Sequence, residues 1–264
     1  MKKAKKSSVG RFLSVGNNLR LYMLVKTKLY FFSLAVLLSG CKSDEIVAPA
    51  IMQQEVYNTG SLNYLLFMPS NIQAQEQGKF PMILSLHGIG ERGNDLPRLK
   101  RDGLAKRLDG DEAFPFVVIS PQCPLSTEWY YDRTDTLLIK LLDAVIARYP
   151  IDTNRIYLTG YSMGGIGAWD LALRNPPRFA AVLPIAARAE GGFNICVLKE
   201  VPAWVFHGAK DDVVDLFKAE SLVNALRNCG GNVQFTVYPA VGHDAWTRTY
   251  NNAEVYDWLL RQRR

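Results

Sequence analysis

The stretch from Arg155 to Asn175, RIYLTGYSMGGIGAWDLALRN, leaves the chain little conformational freedom. Residues 155–159 read as a buried strand, and Gly165 to Leu173 read as a helix stopped by Pro176 and Pro177. No linker separates the two, so the strand must turn straight into the helix at Ser162. Gly160, Gly164 and Gly165 are the small neighbours that let main chains approach closely at such a turn. The turn would lift the Ser162 hydroxyl above the carboxyl edge of a sheet, with the N-terminus of the next helix beneath it. G-x-S-x-G alone turns up by chance in about one chain in ten of this length. The strand before it and the helix after it give it weight.

The rest of the chain repeats the alternation. EVYNTGSLNYLLFMP reads as a hairpin around Asn58-Thr59-Gly60, and FPMILSLHG and FPFVVISPQ as buried strands with a helix between them near residues 97–108. Leu137, Leu138, Leu141, Leu142, Val145, Ile146 and Tyr149 recur at helical spacing up to Pro150. After the Ser162 turn come strands FAAVLPIAA, VPAWVFHG and VQFTVYPA, a helix near 216–228 and a last helix near 245–262. This order predicts an α/β fold: a doubly wound, mostly parallel central sheet with helices on both faces and no insertion long enough for a large lid.

The chain has 264 residues and a formal charge of +6, but the charge is unevenly placed. Residues 1–41 hold eight of the 31 Lys and Arg and no acid, which leaves 23 basic residues against 25 acidic ones in the remainder. The excess belongs to the leader, which removes the argument for a nucleic-acid partner. That leader ends LYFFSLAVLLSGC, an apolar run too short for a comfortable transmembrane helix. It reads as a secretory signal, and Leu38-Ser39-Gly40-Cys41 resembles the lipobox of bacterial lipoproteins, in which the cysteine is lipidated. Met23, followed by Lys26 and Lys28, would start a signal of more usual length. The expected organisation is a signal over 1–41, a tether over 42–55 and one domain over 56–264, with membrane attachment through Cys41 at the bacterial cell envelope. Lys42-Ser43-Asp44-Glu45 resembles the acidic export signals of some surface lipoproteins. Cys123, Cys196 and Cys229 allow one disulfide and leave one thiol over, with the pairing open. No cluster of metal-ligand spacing occurs, so no metal site is expected.

A serine hydroxyl needs a base. Of three histidines, His243 follows the strand VQFTVYPA near the C-terminus, where a Ser, acid, His chain order puts the base. The base needs a carboxylate to fix its tautomer. Asp211 and Asp212 follow the strand VPAWVF; adjacent side chains point in different directions, and spacing favours Asp211. His207 reads as structural, a strand-end side chain bonding its loop. An oxyanion needs two main-chain amides: Met163, after the nucleophile, and Ile89, in the loop His87-Gly88-Ile89-Gly90 leaving FPMILSL. That loop lacks the glycine patterns of a phosphate cradle. Trp129 and Trp246, with Tyr130 and Tyr131, either line a substrate pocket or pack in the core.

These blocks resemble the α/β-hydrolase superfamily, and within it the compact secreted esterases of the phospholipase/carboxylesterase, dienelactone hydrolase and poly(3-hydroxybutyrate) depolymerase-like branches. LHGIGERGNDL, VVISPQCP, IDTNRIYLTGYSMGGIGAWDLA, FHGAKDDVV and GHDAW occur in that group's order across residues 80–250. The resemblance implies Ser162 as nucleophile, Asp211 as acid, His243 as base and Ile89 and Met163 as oxyanion amides. It implies ester hydrolysis through an acyl-enzyme without a cofactor, and the expected location at the cell surface adds, by analogy, small-molecule esters or acetyl and feruloyl groups on polysaccharides as the substrates. Asp215 stands where many relatives carry proline, and is expected to cap the helix from Leu216. A serine peptidase of the prolyl-oligopeptidase type and a non-catalytic ligand-binding lipoprotein are the other readings. The first usually brings a separate propeller or substrate-excluding domain, for which this chain has no room.

Overall fold

The computed structural model describes residues 51–55, 62–70, 78–111, 114–190 and 194–264, with the backbone alone at 51–55 and at Asp132. The expected signal over 1–41, its Cys41 and most of the tether lie outside the described residues.

Among the described residues eight strands form one sheet: β1 (Ile51–Glu55), β2 (Tyr64–Met68), β3 (Phe80–Leu86), β4 (Val117–Pro121), β5 (Ile151–Tyr161), β6 (Ala181–Ile185), β7 (Ala203–Gly208) and β8 (Val233–Tyr238). Their order is β1-β2-β4-β3-β5-β6-β7-β8, with β1 and β2 antiparallel additions to a parallel run. β1 corrects the expected tether, whose last five residues pair with β2 from Ile51↔Met68 to Glu55↔Tyr64. The helices are α1 (Gly103–Arg107), α2 (Asp132–Arg148), α3 (Met163–Arg174), α4 (Leu216–Asn228), α5 (Trp246–Tyr250) and α6 (Ala253–Leu260).

Strand side chains alternate between two cores, as the two-residue period requires. Met82, Leu84, Val117, Ile119, Ile156, Leu158, Val182 and Val205 pack with α2, α3 and α4. Ile83, Val118, Tyr157, Leu183 and Phe206 pack on the other face with α1, α5 and α6. Covering both faces explains why β3 and β4 are buried throughout and why they read as continuous apolar runs.

Two expected helices are broken. Over 97–108 the chain forms a 3-10 helix, Leu96–Arg101, and then α1. Asp102 separates them and caps α1, its side chain accepting from the amide of Gly103, which opens the helix at φ +66. The last helix splits into α5 and α6, and Asn252 caps α6 by accepting from the Glu254 amide at 3.0 Å. Asp215 caps α4 as expected, accepting from the Phe217 amide at 2.9 Å. The disulfide joins Cys196 to Cys229, and Cys123 is a buried thiol whose pKa burial pushes up to about 12. Among the described residues no helix is long and apolar enough to cross a membrane.

Strand order positions the site. From β3 the chain steps one way to β4, then returns past β3 to β5 and continues in the opposite direction. The loops leaving β3 and β5 therefore diverge from a crevice at the carboxyl edge, the usual binding position in open α/β sheets.

Candidate active site

Ser162 sits at φ 54, ψ −122, between the end of β5 and the first residue of α3. This backbone is uncommon for a residue with a side chain and costs on the order of 1–3 kcal/mol. The surroundings enforce it. A Cβ on Gly160 would lie 2.2 Å from the Gly164 carbonyl oxygen, and one on Gly164 would lie 2.0 Å from that of Leu86. With the β3–β5 register pairing Leu86 with Gly160, the elbow presses directly on the exit of β3.

Three side chains meet above the sheet edge. Ser162 Oγ is 2.8 Å from His243 Nε2, and His243 Nδ1 lies 3.0 and 2.9 Å from the two oxygens of Asp211. A carboxylate is an acceptor, so Nδ1 carries the proton and Nε2 is free to accept one from Ser162. The Asp211 side chain is fully buried, whereas His243 keeps partial access to solvent. Asp211 Oδ1 also accepts the amides of Val213 and Val214, each at 2.9 Å. His207 Nε2 lies 2.8 Å from the Val214 carbonyl and 3.2 Å from Asp211 Oδ2. Facing two acceptors, Nε2 must be the protonated nitrogen, which matches the unpartnered buried Nδ1. His207 thus ties the end of β7 to the Asp211 loop, the structural place its sequence position indicates. Asp212 is exposed.

Met163 begins α3, so its amide has no acceptor within the helix. Ile89 opens a 3-10 turn, Ile89–Glu91, in the loop beside the elbow. The loop is held by contacts with no local sequence signal. Trp129 Nε1 donates to the His87 carbonyl at 3.0 Å, the Cys123 amide donates to His87 Nε2 at 2.9 Å, and His87 Nδ1 donates to the Gly88 carbonyl at 2.6 Å. Burial lowers the His87 pKa to about 4, so the ring is neutral near pH 7. Gln122 Nε2 reaches the carbonyls of Glu91 and Asp95 at 2.8 and 2.9 Å.

The expected pocket residues are corrected here. Trp129 is 1% exposed and supports the loop from within the core, so it cannot line a substrate pocket. Trp246, 8% exposed, stands edge-on to His243 with ring centroids 5.2 Å apart and stacks on Tyr161 at 4.6 Å. It backs the base and offers almost no open surface. Sequence reasoning missed Tyr161, whose hydroxyl donates to Glu91 Oε2 at 3.0 Å. Its place beside Ser162 in the motif was the available signal. Among the described residues no group of side chains could hold a metal ion. A buried acid, an imidazole in a fixed tautomer and a serine in line can move a proton from Oγ to Nε2 as Oγ attacks a carbonyl carbon.

Comparison with known proteins agrees with this geometry. The chain is 27% identical over 200 residues to a bifunctional acetylxylan esterase/xylanase of Neocallimastix patriciarum, a match covering 73% of this chain and 27% of that protein. Matched stretches span between 27% and 46% of the curated relatives' lengths. The crystal structure of a thermostable esterase superposes with a TM-score of 0.70 at 31% identity, over 83% of this chain and 64% of that one. A ferulic acid esterase shares the fold, with a TM-score of 0.61 at 21% identity over 80% of this chain and 97% of that one. The phospholipase/carboxylesterase family pattern matches residues 112–256, more than half of the chain. This chain therefore belongs to the phospholipase/carboxylesterase family of the α/β-hydrolase superfamily.

Proposed function

We propose that the chain is a serine carboxylic ester hydrolase working through an acyl-enzyme. The observation that carries this reading is the continuous hydrogen-bonded line from Asp211 through His243 to a strained Ser162. Ser162 Oγ attacks the ester carbonyl while His243 Nε2 takes its proton. Asp211 stabilises the imidazolium. The amides of Ile89 and Met163 receive the charge that develops on the carbonyl oxygen. His243 then protonates the departing alcohol, and in the second half it activates water against the acyl-enzyme, restoring Ser162 and releasing the acid.

A fluorophosphonate probe should label the folded protein at Ser162 and leave Ser162→Ala unlabelled; absence of labelling in the wild type would remove the reading. The acyl group we favour is acetyl or feruloyl on a polysaccharide. Support comes from the similarity to an acetylxylan esterase and from a leader that would deliver the enzyme to the cell envelope on a lipidated Cys41. Rates on acetylated xylan, methyl ferulate and nitrophenyl esters of rising chain length decide between acyl groups, and activity confined to long chains would refute the polysaccharide assignment. Palmitate incorporation lost in Cys41→Ser tests the anchor.

A further inference from the structure

We infer that Tyr161 and Glu91 form a strut that sets the spacing between the two oxyanion amides, making both positioning residues; this rests on the esterase reading above. Tyr161 immediately precedes Ser162 and stands two residues before Met163, while Glu91 stands two residues after Ile89. The hydrogen bond from the Tyr161 hydroxyl to Glu91 Oε2, 3.0 Å long, therefore ties together the two backbone segments that carry the amides. The sheet holds the two segments together only as far as the Leu86–Gly160 pair, and the strut lies beyond it, where the loops leaving β3 and β5 diverge.

The ring of Tyr161 has one orientation available. Backbone brackets both of its edges: a Cβ on Gly88 would lie 2.8 Å from Cε2, and one on Gly103 would lie 2.4 Å from Cε1. Trp246 stacks on its face at 4.6 Å, and Trp246 in turn meets the His243 ring. Glu91 is also restrained, since Gln122 holds its carbonyl and the carboxyl group is mostly buried. Burial raises the Glu91 pKa, opposed by the Tyr161 hydrogen bond. A rigid ring meeting a restrained carboxyl group transmits position, and a donor displaced by about 1 Å can cost about 100-fold in rate.

The experiment is steady-state hydrolysis of p-nitrophenyl acetate, with melting curves, by wild type, Tyr161→Phe, Glu91→Leu, Glu91→Gln and the Tyr161→Phe/Glu91→Leu double variant. Phenylalanine keeps the packing and removes only the hydroxyl, and glutamine keeps an oxygen acceptor. We expect Tyr161→Phe and Glu91→Leu each to lower kcat by about 10- to 100-fold with KM within about twofold. The double variant should be no worse than either single, and Glu91→Gln should recover most of the loss. Wild-type kcat in Tyr161→Phe would overturn the strut, as would Glu91→Gln falling as far as Glu91→Leu. If Tyr161→Phe does not fold, the Glu91 pair decides on the same criterion. An inactive, unlabelled wild type would remove the esterase reading and the strut with it, whereas an active wild type matched by Tyr161→Phe removes the strut alone.

Discussion

Breaking the disulfide between Cys196 and Cys229 tests both stability and the compartment in which the chain folds. The bond joins the 3-10 turn after β6 to the C-cap of α4 and closes a loop of sequence separation 33 that contains β7. In the chain-entropy account, a loop of that length removes about 12.5 cal/mol/K from the unfolded chain, or about 3.7 kcal/mol at 25 °C. For a folded domain of about 200 residues, each kcal/mol moves the midpoint by about 2–4 °C. The Cys196→Ala/Cys229→Ala variant should therefore melt about 7–15 °C below wild type in calorimetry at pH 7. Adding a phosphine reductant to wild type should reproduce most of the shift and leave the variant unmoved. Thiol titration in denaturant should find one free thiol among Cys123, Cys196 and Cys229 in protein made in an oxidising compartment. A variant melting within about 2 °C of wild type would refute the entropic argument, and three free thiols in exported protein would refute the bond.

Asp211→Asn should lower kcat by about 10⁴-fold and lower the melting temperature, because an amide cannot accept from Val213, Val214, His207 and His243 together. Asp212→Asn, on an exposed side chain, should leave kinetics unchanged. Gly164→Ala puts a methyl group 2.0 Å from the Leu86 carbonyl oxygen and 2.6 Å from that of His87, both backbone atoms that cannot withdraw. A loss of about 3 kcal/mol or more is expected by chemical denaturation, while Gly90→Ala, with no heavy atom within 4 Å, should match wild type in stability. His87 gives a pH signature. Its pKa is lowered from 6.5 to about 4 in the fold, chiefly by burial, so between those values the unfolded chain holds the extra proton and stability falls as pH falls. Relative to His87→Asn, wild type should lose about 3 kcal/mol between pH 7 and pH 4. Equal slopes in denaturant titrations across that window would contradict a neutral His87 accepting from the Cys123 amide.

Residue patterns carried most of the fold because both faces of the sheet are covered: β3, β4 and the latter part of β5 had to be buried runs, and α2 and α4 had to show one apolar stripe. Ile51–Glu55, IMQQE, lacks that signature, since its place at the sheet edge rests on backbone pairing with β2. The break at Gly103 was hidden because what requires a glycine there, a positive φ beside the ring of Tyr161, exists only in the folded chain. In the site, Ser162, His243 and Asp211 were legible from their positions at strand ends. Trp129 was not: the carbonyl that its indole holds lies 42 residues earlier. The Tyr161–Glu91 contact spans 70 residues and the disulfide 33, and local spacing carries no information about either.

The backbone of Ser162, with φ at 54, has a consequence for how the protein responds to selection. Glycine enters this region readily, so Ser162→Gly should fold more stably than wild type while hydrolysing nothing. Screens that reward only soluble yield or heat resistance would then enrich a dead protein, and a stabilising programme must carry an activity gate from its first round. The nucleophile occupies the position in the elbow where the chain would otherwise choose to have no side chain.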